Sequence, residues 1–140
     1  RFANVKTKIE TALVSDLINQ CYADIHLTPE TVKSWRHHPV FDPRLWIWVV
    51  DKRSDTPVGL GIAELDTRVP EGSLEWIQVL PAYRRRGLGQ AIVQALLSRL
   101  HRHVAFTTVA GRVGNQAHPE ALYRRCGFRG DDIWWVLKAS

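Results

Sequence analysis

The apolar positions of this chain follow two periods, one typical of strands and one typical of helices. Alternation over residues 5–9 predicts a first strand, and apolar residues at helical spacing predict a helix over residues 11–23. A second helix is predicted from Thr28 and Pro29 to about residue 37, because a hydroxyl can cap the first turn and proline fits the first helical position. The first third of the chain therefore reads as strand, helix, helix.

Three strands and a long helix are predicted in the middle of the chain. Residues 45–51 are rich in Trp, Ile and Val, and residues 56–64 read as their hairpin partner across a polar turn. Residues 73–80 form the next predicted strand. A continuous apolar stripe then predicts a helix over residues 88–101. This order indicates antiparallel pairing followed by a helix that covers the sheet.

The last third of the chain repeats the alternation of element types. Residues 104–109 read as a strand, residues 119–125 as a short helix closed by Gly127, and residues 133–137 as a last strand. We therefore predict a mixed α/β (α+β) fold, in which a mostly antiparallel central sheet is flanked by helices.

Length and composition predict one folded domain over residues 1–140. The chain is 45% hydrophobic and 24% charged, which is ordinary for a globular domain. Its longest apolar run, residues 45–50, is far shorter than the ~18 residues that a membrane-spanning helix needs, so no membrane association is expected. Because the sequence starts at Arg1 and contains no methionine, we expect a fragment or the C-terminal part of a longer chain.

Charge and cysteine content narrow the classes of partner. The chain has 19 Lys+Arg and 14 Asp+Glu, a net charge of +5, and its two cysteines, Cys21 and Cys126, form no metal-ligand pattern. No metal is expected, and a reducing cytoplasm is the predicted location. A nucleic-acid-binding module is the rival hypothesis for a basic chain, but outside one arginine run the cations are interleaved with acids.

The segment with the clearest chemistry joins the strand at residues 73–80 to the following helix. A helix N-terminus presents unpaired N–H groups and a positive dipole end, which favour a phosphate. Gly87 and Gly89 lack the Cβ atoms that would block such a ligand, and three arginines precede them. Neither the Walker pattern nor the dinucleotide pattern is present. The segment predicts a phosphorylated ligand of another kind.

Two segments resemble signatures of the GNAT N-acetyltransferase superfamily. The first runs from Ile77 to Gly89, where Arg84, Gly87 and Gly89 occupy the fixed places of Gln/Arg-x-x-Gly-x-Gly/Ala after a strand that ends in Val-x-Pro. The second runs from Glu120 to Phe128, a short helix that carries Leu-Tyr followed by Gly-Phe. The resemblance implies the acyl-CoA N-acyltransferase fold and an enzyme that uses acetyl-coenzyme A as co-substrate.

The resemblance also implies which residues bind the coenzyme. Backbone N–H groups of the turn hold the pyrophosphate, and the preceding strand pairs with the pantetheine and acetyl group. The family usually has an asparagine seven residues before the tyrosine of the second signature; here Gln116 holds that place and Asn115 precedes it. The cofactor-binding residues expected are Ile77, Gln78, Val79, Arg84, Arg85, Arg86, Gly87, Leu88, Gly89, Gln90 and Asn115.

Catalysis by direct attack of an amine needs a base, an oxyanion donor and an acid. Glu75 matches a position where family members place a carboxylate used directly or through water, and its alternative is a solvated or salt-bridged glutamate. A backbone N–H near Val79, freed by a bulge, is expected to hold the oxyanion. Tyr123 matches the family's tyrosine and would protonate the leaving thiolate, unless it is simply a core residue.

The acceptor is expected to be an amine of a small molecule or a peptide, with no nucleic-acid partner. We allow for a homodimer, and for a silent acetyl-coenzyme A-binding or sensor domain as the alternative function. The tryptophans are predicted to be core residues, except that Trp35 ends a helix in the region that borders the acceptor cleft in this family. The predicted core set is Trp46, Trp48, Trp76, Trp134 and Trp135.

Overall fold

The computed structural model describes residues 1–5, 8–21, 25–109 and 119–129. Within these ranges five strands form one sheet in chain order, and each neighbouring pair is antiparallel except the last, which is parallel. The predicted mixed fold is confirmed. The elements are β1 (Phe2–Asn4), α1 (Lys8–Cys21), α2 (Pro29–Trp35), β2 (Trp46–Asp51), β3 (Thr56–Asp66), β4 (Glu71–Val79), α3 (Leu88–Leu100), β5 (Phe106–Val109) and α4 (Pro119–Arg125).

Most predicted elements lie where the sequence placed them, but the first strand does not. The Thr28 hydroxyl accepts a hydrogen bond from the Thr31 N–H at 3.2 Å and caps α2, as expected. The predicted strand over residues 5–9 is wrong, because β1 ends at Asn4 and α1 begins at Lys8. The strand predicted over residues 133–137 lies outside the described residues.

The sheet has an apolar layer on each side. We call the side covered by α1 and α2 the α1 face and the side covered by α3 the α3 face. Buried residues on the α1 face are Val5, Val14, Leu17, Ile18, Val32, Trp46, Trp48, Val50, Leu60 and Ile62. Those on the α3 face are Leu45, Ile47, Val49, Val58, Ala63, Leu65, Leu74, Ile92, Val93, Leu96 and Leu100. In the described ranges, every helix falls short of the length and apolar character needed to cross a membrane.

β4 contains a bulge at Glu75. Ile62 pairs with Trp76 while the next residue of β3, Ala63, pairs with Leu74, so Glu75 has no opposite residue on β3. The bulge that the sequence analysis placed near Val79 therefore lies four residues earlier, since Val79 pairs in regular register with Gly59. In a regular strand, neighbouring side chains point to opposite faces, and one extra residue resets that alternation.

α3 packs directly onto β3 because β3 has a glycine beneath it. A Cβ built on Gly61 would lie 2.4 Å from Ile92 Cγ2 and 3.1 Å from Leu96 Cδ1. Both contacts are with fully buried side chains, which have no room to withdraw. The close approach of α3 to the sheet therefore depends on the missing side chain at this position.

We expect Gly61→Ala to lower the free energy of unfolding by about 1–3 kcal/mol, since a methyl group forced into a packed core shifts side chains or backbone. Urea denaturation measures the change. The matched control is Gln94→Ala on the exposed side of α3, which should stay close to the parent protein. Equal stability of Gly61→Ala and the parent would contradict the packing described.

Candidate active site

The turn between β4 and α3 presents an uncapped helix N-terminus. Gly87 precedes the first residue of α3 with φ of +76°, and Arg85 also has a left-handed φ of +64°. No described side chain caps the first turn of α3 at Gly87. The leading N–H groups of the helix therefore face outward without an intrahelical partner, which is the arrangement that binds anions.

Two of the three arginines of this turn, Arg84 and Arg86, are held by separate contacts. Arg84 Nε donates to the Val79 carbonyl oxygen at 3.1 Å, and the Arg86 guanidinium lies 5.1 Å from the centre of the Tyr83 ring. The Tyr83 hydroxyl in turn donates to Asp51 Oδ2 at 3.0 Å, and this hydrogen bond to a carboxylate raises the pKa of Tyr83. These contacts keep the positive charges at the mouth of the turn.

Glycine occupies two positions of this turn, and the structural reason for glycine differs between them. A Cβ on Gly87 would meet no described atom within 4 Å, so its space is open, and its positive φ favours glycine. A Cβ on Gly89 would instead lie 3.3 Å from Leu122 Cδ2. Gly89 therefore also has a packing reason, since the missing side chain leaves room for Leu122 of α4, and the expectation that it clears space for a ligand stays a prediction.

The outer edge of β4, on the side away from β3, is unpaired over its last five residues in the described part of the chain. β5 pairs with β4 from Glu71 to Leu74 and no further. The Leu80 N–H donates to Val58 of β3 at 2.9 Å, so by alternation the N–H groups of Ile77 and Val79 point to the outer edge. The Val79 carbonyl points the same way, since it accepts from Arg84.

α4 places Tyr123 beside the turn on the α3 face. Leu122 contacts the first turn of α3 at Gly89, and the half-buried ring of Tyr123 packs edge-on against Phe128, with centroids 5.9 Å apart. Both rings lie against the buried cluster under α3. The two segments that resemble the family signatures therefore converge in space.

Glu75 lies on the opposite face, in a pocket of about 160 Å³ between α2 and the sheet. Because of the bulge, the consecutive residues Glu75 and Trp76 both line this pocket. The Trp76 ring stacks on Trp35 of α2 at 5.7 Å between centroids. The described residues that line it are Trp35, Phe41, Trp46, Ile62, Glu64, Glu75 and Trp76.

The pocket contains a second carboxylate that the sequence analysis missed. Glu64 follows Ile62 by two residues on β3 and so faces the same side of the sheet. Burial raises the pKa of Glu64, the negative charge of Glu75 raises it further, and His38 partly opposes both. Glu75 itself accepts a hydrogen bond from the Ser73 hydroxyl at 2.6 Å. The sequence did contain a signal for Glu64, because it lies two residues after the apolar Ile62 and so faces the same side of the strand.

The tryptophan predictions are only partly right. Trp46 and Trp48 are buried core residues, as expected. Trp76 is half-buried and lines the pocket, and Trp46 contributes a ring edge to it, so these two also serve the site. Trp134 and Trp135 lie outside the described residues, as does Asn115. Among the residues described, no group of three or more His, Cys, Asp or Glu side chains is placed to hold a metal.

Residues 12–128 match the sequence profile of the Acetyltransferase (GNAT) family. Because the match covers most of the chain, the protein belongs to this family, and the resemblance drawn from the two signature segments is confirmed. Among curated proteins, no sequence is similar enough to count as a match. Acetyl transfer is the activity for which the family is named.

Several solved structures share the fold. The ribosomal-protein-S18-alanine N-acetyltransferase from Escherichia coli has a TM-score of 0.76 at 22% identity, over 94% of this chain and 79% of that one. The NatC complex bound to Gag peptide and CoA has a TM-score of 0.77 at 21% identity, over 94% of this chain and 86% of that one. An aminoglycoside acetyltransferase from an uncultured soil metagenomic sample has a TM-score of 0.74 at 17% identity, over 100% of this chain and 98% of that one. At these identities the likeness shows the fold.

The carboxylate pair makes a prediction about titration. Glu75→Gln removes a negative charge that raises the pKa of Glu64, so Glu64 should lose its proton at a lower pH. A raised folded-state pKa means that the stability contribution of Glu64 is present below its ordinary pKa and lost as the pH rises through the folded-state value. Carboxyl NMR titration measures the midpoint. Glu71→Gln, on the same strand outside the pocket, is the control, and an unchanged midpoint in Glu75→Gln would contradict the pairing.

Proposed function

We propose that this protein is an N-acetyltransferase that moves the acetyl group of acetyl-coenzyme A to an amine by direct attack within a ternary complex. The observation that carries the proposal is the position of the arginine-flanked start of α3 next to the outer edge of β4, neither of which has a cap or a strand partner among the described residues. One element suits a pyrophosphate, and the other suits an extended chain with amide groups.

The residues present fit the coenzyme. N–H groups of the turn and of the first turn of α3 would hold the pyrophosphate; these belong to Arg85, Arg86, Gly87, Leu88, Gly89 and Gln90. The Arg84 N–H donates to the Pro81 carbonyl, so Arg84 would contribute its positive charge instead. The outward N–H groups of Ile77 and Val79 would pair with the pantetheine arm. The N–H of Gln78 points to β3 instead, and its side chain is buried. When bound, the coenzyme supplies an acetyl thioester, whose carbonyl oxygen gains negative charge during attack, and an outward N–H of β4 would stabilise it.

The amine would enter from the α1 face, where Glu75 lies. An aliphatic amine is protonated at neutral pH and must lose a proton before it can attack a carbonyl carbon. Glu75 is exposed to the pocket and oriented by the Ser73 hydroxyl, so its carboxylate can accept that proton directly or through a water molecule. The bulge places this carboxylate two residues before Ile77, where the strand segment that would pair with the coenzyme begins.

Tyr123 would act from the α3 face. The leaving thiolate needs a proton, and a neutral phenol keeps one at working pH. Base and acid would thus reach the thioester from opposite faces of the sheet, across the outer edge of β4. The acceptor is proposed to be a small-molecule or peptide amine. A cytoplasmic location and a homodimer stay predictions from the sequence.

Acetyl-coenzyme A should stabilise the folded protein. Ligand at ~100 times its dissociation constant contributes about 2.7 kcal/mol, which raises Tm by several degrees for a domain of this size. Arg85→Glu reverses a charge at the turn and should reduce the rise in Tm. Arg102→Glu makes the same change in net charge just past the far end of α3, roughly 20 Å away, and should preserve it.

Differential scanning fluorimetry with acetyl-coenzyme A measures both variants. An unchanged Tm of the parent protein at saturating coenzyme would contradict the proposal. A larger shift with single-stranded DNA would favour the nucleic-acid hypothesis instead.

Glu75→Gln should lower kcat/KM at neutral pH, because the amide cannot accept the proton of the ammonium. The deficit should shrink as the pH rises toward the pKa of the amine, where the free base forms without help. An acceptor screen that follows coenzyme A release provides the substrate. Profiles of the parent, Glu75→Gln and the control Glu71→Gln are then compared between acid and alkaline pH. Parallel profiles for Glu75→Gln and the parent would remove Glu75 from the mechanism.

A further inference from the structure

The pocket on the α1 face has aromatic walls and two acidic groups. Trp35 and Trp76 stack, and the edge of Trp35 meets Trp46 at 6.4 Å between centroids. Glu64 enters from β3 and Glu75 from the bulge of β4, so the two carboxylates share one small cavity. None of the described residues that line it is basic. The faces of tryptophan rings and carboxylate oxygens both attract cations.

The two carboxylates differ in the partners they have. Glu75 accepts the Ser73 hydroxyl, whereas Glu64 has no hydrogen-bond or ion-pair partner in the described part of the chain. Glu64 is half-buried, and burial together with the charge of Glu75 raises its pKa. A carboxylate left in this state gains from any cation that reaches it.

The charged groups around Glu64 do not neutralise it. His38, on the turn after α2, is exposed and forms no described ion pair with Glu64, although its electrostatic influence lowers the pKa of the carboxyl. The Arg36 guanidinium lies over Phe41 and Trp46, at 5.3 and 6.0 Å from the ring centres, and it is not part of the pocket lining. The remaining charged neighbour is Glu75, which repels Glu64.

The proposed reaction uses only one of the two carboxylates. The acceptor ammonium transfers one proton to Glu75 and becomes a free amine, so the charges of these two groups cancel. The nitrogen then forms a bond to the acetyl carbon, the carbon–sulfur bond breaks, the nitrogen loses its second proton, and the thiolate takes up one proton. The balance is one amide, one thiol and one released proton. The charge of Glu64 is untouched in every step.

We infer that the acceptor carries a second cationic group, which is not acetylated, and that Glu64 binds this group in the pocket that the tryptophan rings line. This inference rests on the proposed function, since it assigns the other carboxylate to the reacting amine. The substrate class is thus an aliphatic diamine or an amine with a basic side chain. Glu64 is a specificity-determining residue, and the aromatic walls accommodate the aliphatic part of the substrate.

Calorimetric binding tests the inference without requiring turnover. The protein, saturated with coenzyme A, is titrated with 1,4-diaminobutane and with butylamine, which share a chain of four carbons and differ in the second ammonium. We expect the diamine to bind about tenfold more tightly or better, the size of a charge-assisted hydrogen bond. The pair alanyl-lysine amide and alanyl-norleucine amide asks the same question of a peptide acceptor.

Two variants locate the effect. Glu64→Gln should abolish the preference for the second cation, because the amide keeps the shape of the side chain and removes its charge. Asp66→Asn makes the same chemical change two residues further along β3, where the carboxylate pairs with Arg68 outside the pocket, and should retain the preference.

The outcomes separate this inference from the proposed function. Equal affinity for both members of each probe pair, or a preference that survives in Glu64→Gln, would overturn the inference. Acetylation of monoamines with no such preference would leave the N-acetyltransferase proposal standing while the inference fails. A preference confined to the peptide pair would support the inference and identify the second cation as a peptide side chain.

Discussion

Everything in the candidate site depends on how the backbone hydrogen bonds of β4 are shared. One edge of β4 pairs with β3 along its length, while β5 occupies the other edge only as far as Leu74 among the described residues. Backbone N–H groups that leave the sheet unpaired need another partner. The outer edge from Ile77 to Val79 is therefore suited to a ligand that brings its own amide and carbonyl groups, and it leads directly into the arginine turn and the start of α3.

A single inserted residue in β4, the bulge at Glu75, also decides which of its side chains face each side of the sheet. The bulge at Glu75 sends two consecutive side chains, a carboxylate and a tryptophan, to the α1 face, while Ile77 and Val79 pack toward α3. Tyr123 packs on the α3 face against Phe128, and the preceding residue, Leu122, lies beside Gly89 at the start of α3. In the proposed reaction, the amine in the pocket and the Tyr123 hydroxyl would approach one ligand from two sides without competing for space. Glu64, the second carboxylate of the pocket, is the group that we propose binds a second cation of the substrate.

The sequence predicted local structure well wherever the local signal and the tertiary structure agree. The residues of α4 were predicted to the residue, because proline opens the helix and Gly127 has a positive φ just after it. The first strand was misplaced because apolar alternation over residues 5–9 continues into α1, and pairing with β2 decides where β1 ends. Three features could not be predicted from local patterns, because they depend on strand register or join residues distant in the chain. These are the bulge at Glu75, the contact of Gly89 with Leu122, and the position of Glu64 and Glu75 in one pocket.

Amide hydrogen exchange at β4, with and without acetyl-coenzyme A, measures whether the outer edge of this strand pairs with the coenzyme. We expect the Ile77 and Val79 amides to exchange rapidly in the free protein and to slow down when the coenzyme binds. The Leu80 amide, which donates to Val58 of β3 in the free protein, should change little and serves as the control next in sequence. If Ile77 and Val79 exchange at the same rate in both states while the coenzyme is bound, the outer edge of β4 is not where the ligand pairs, and the account is wrong.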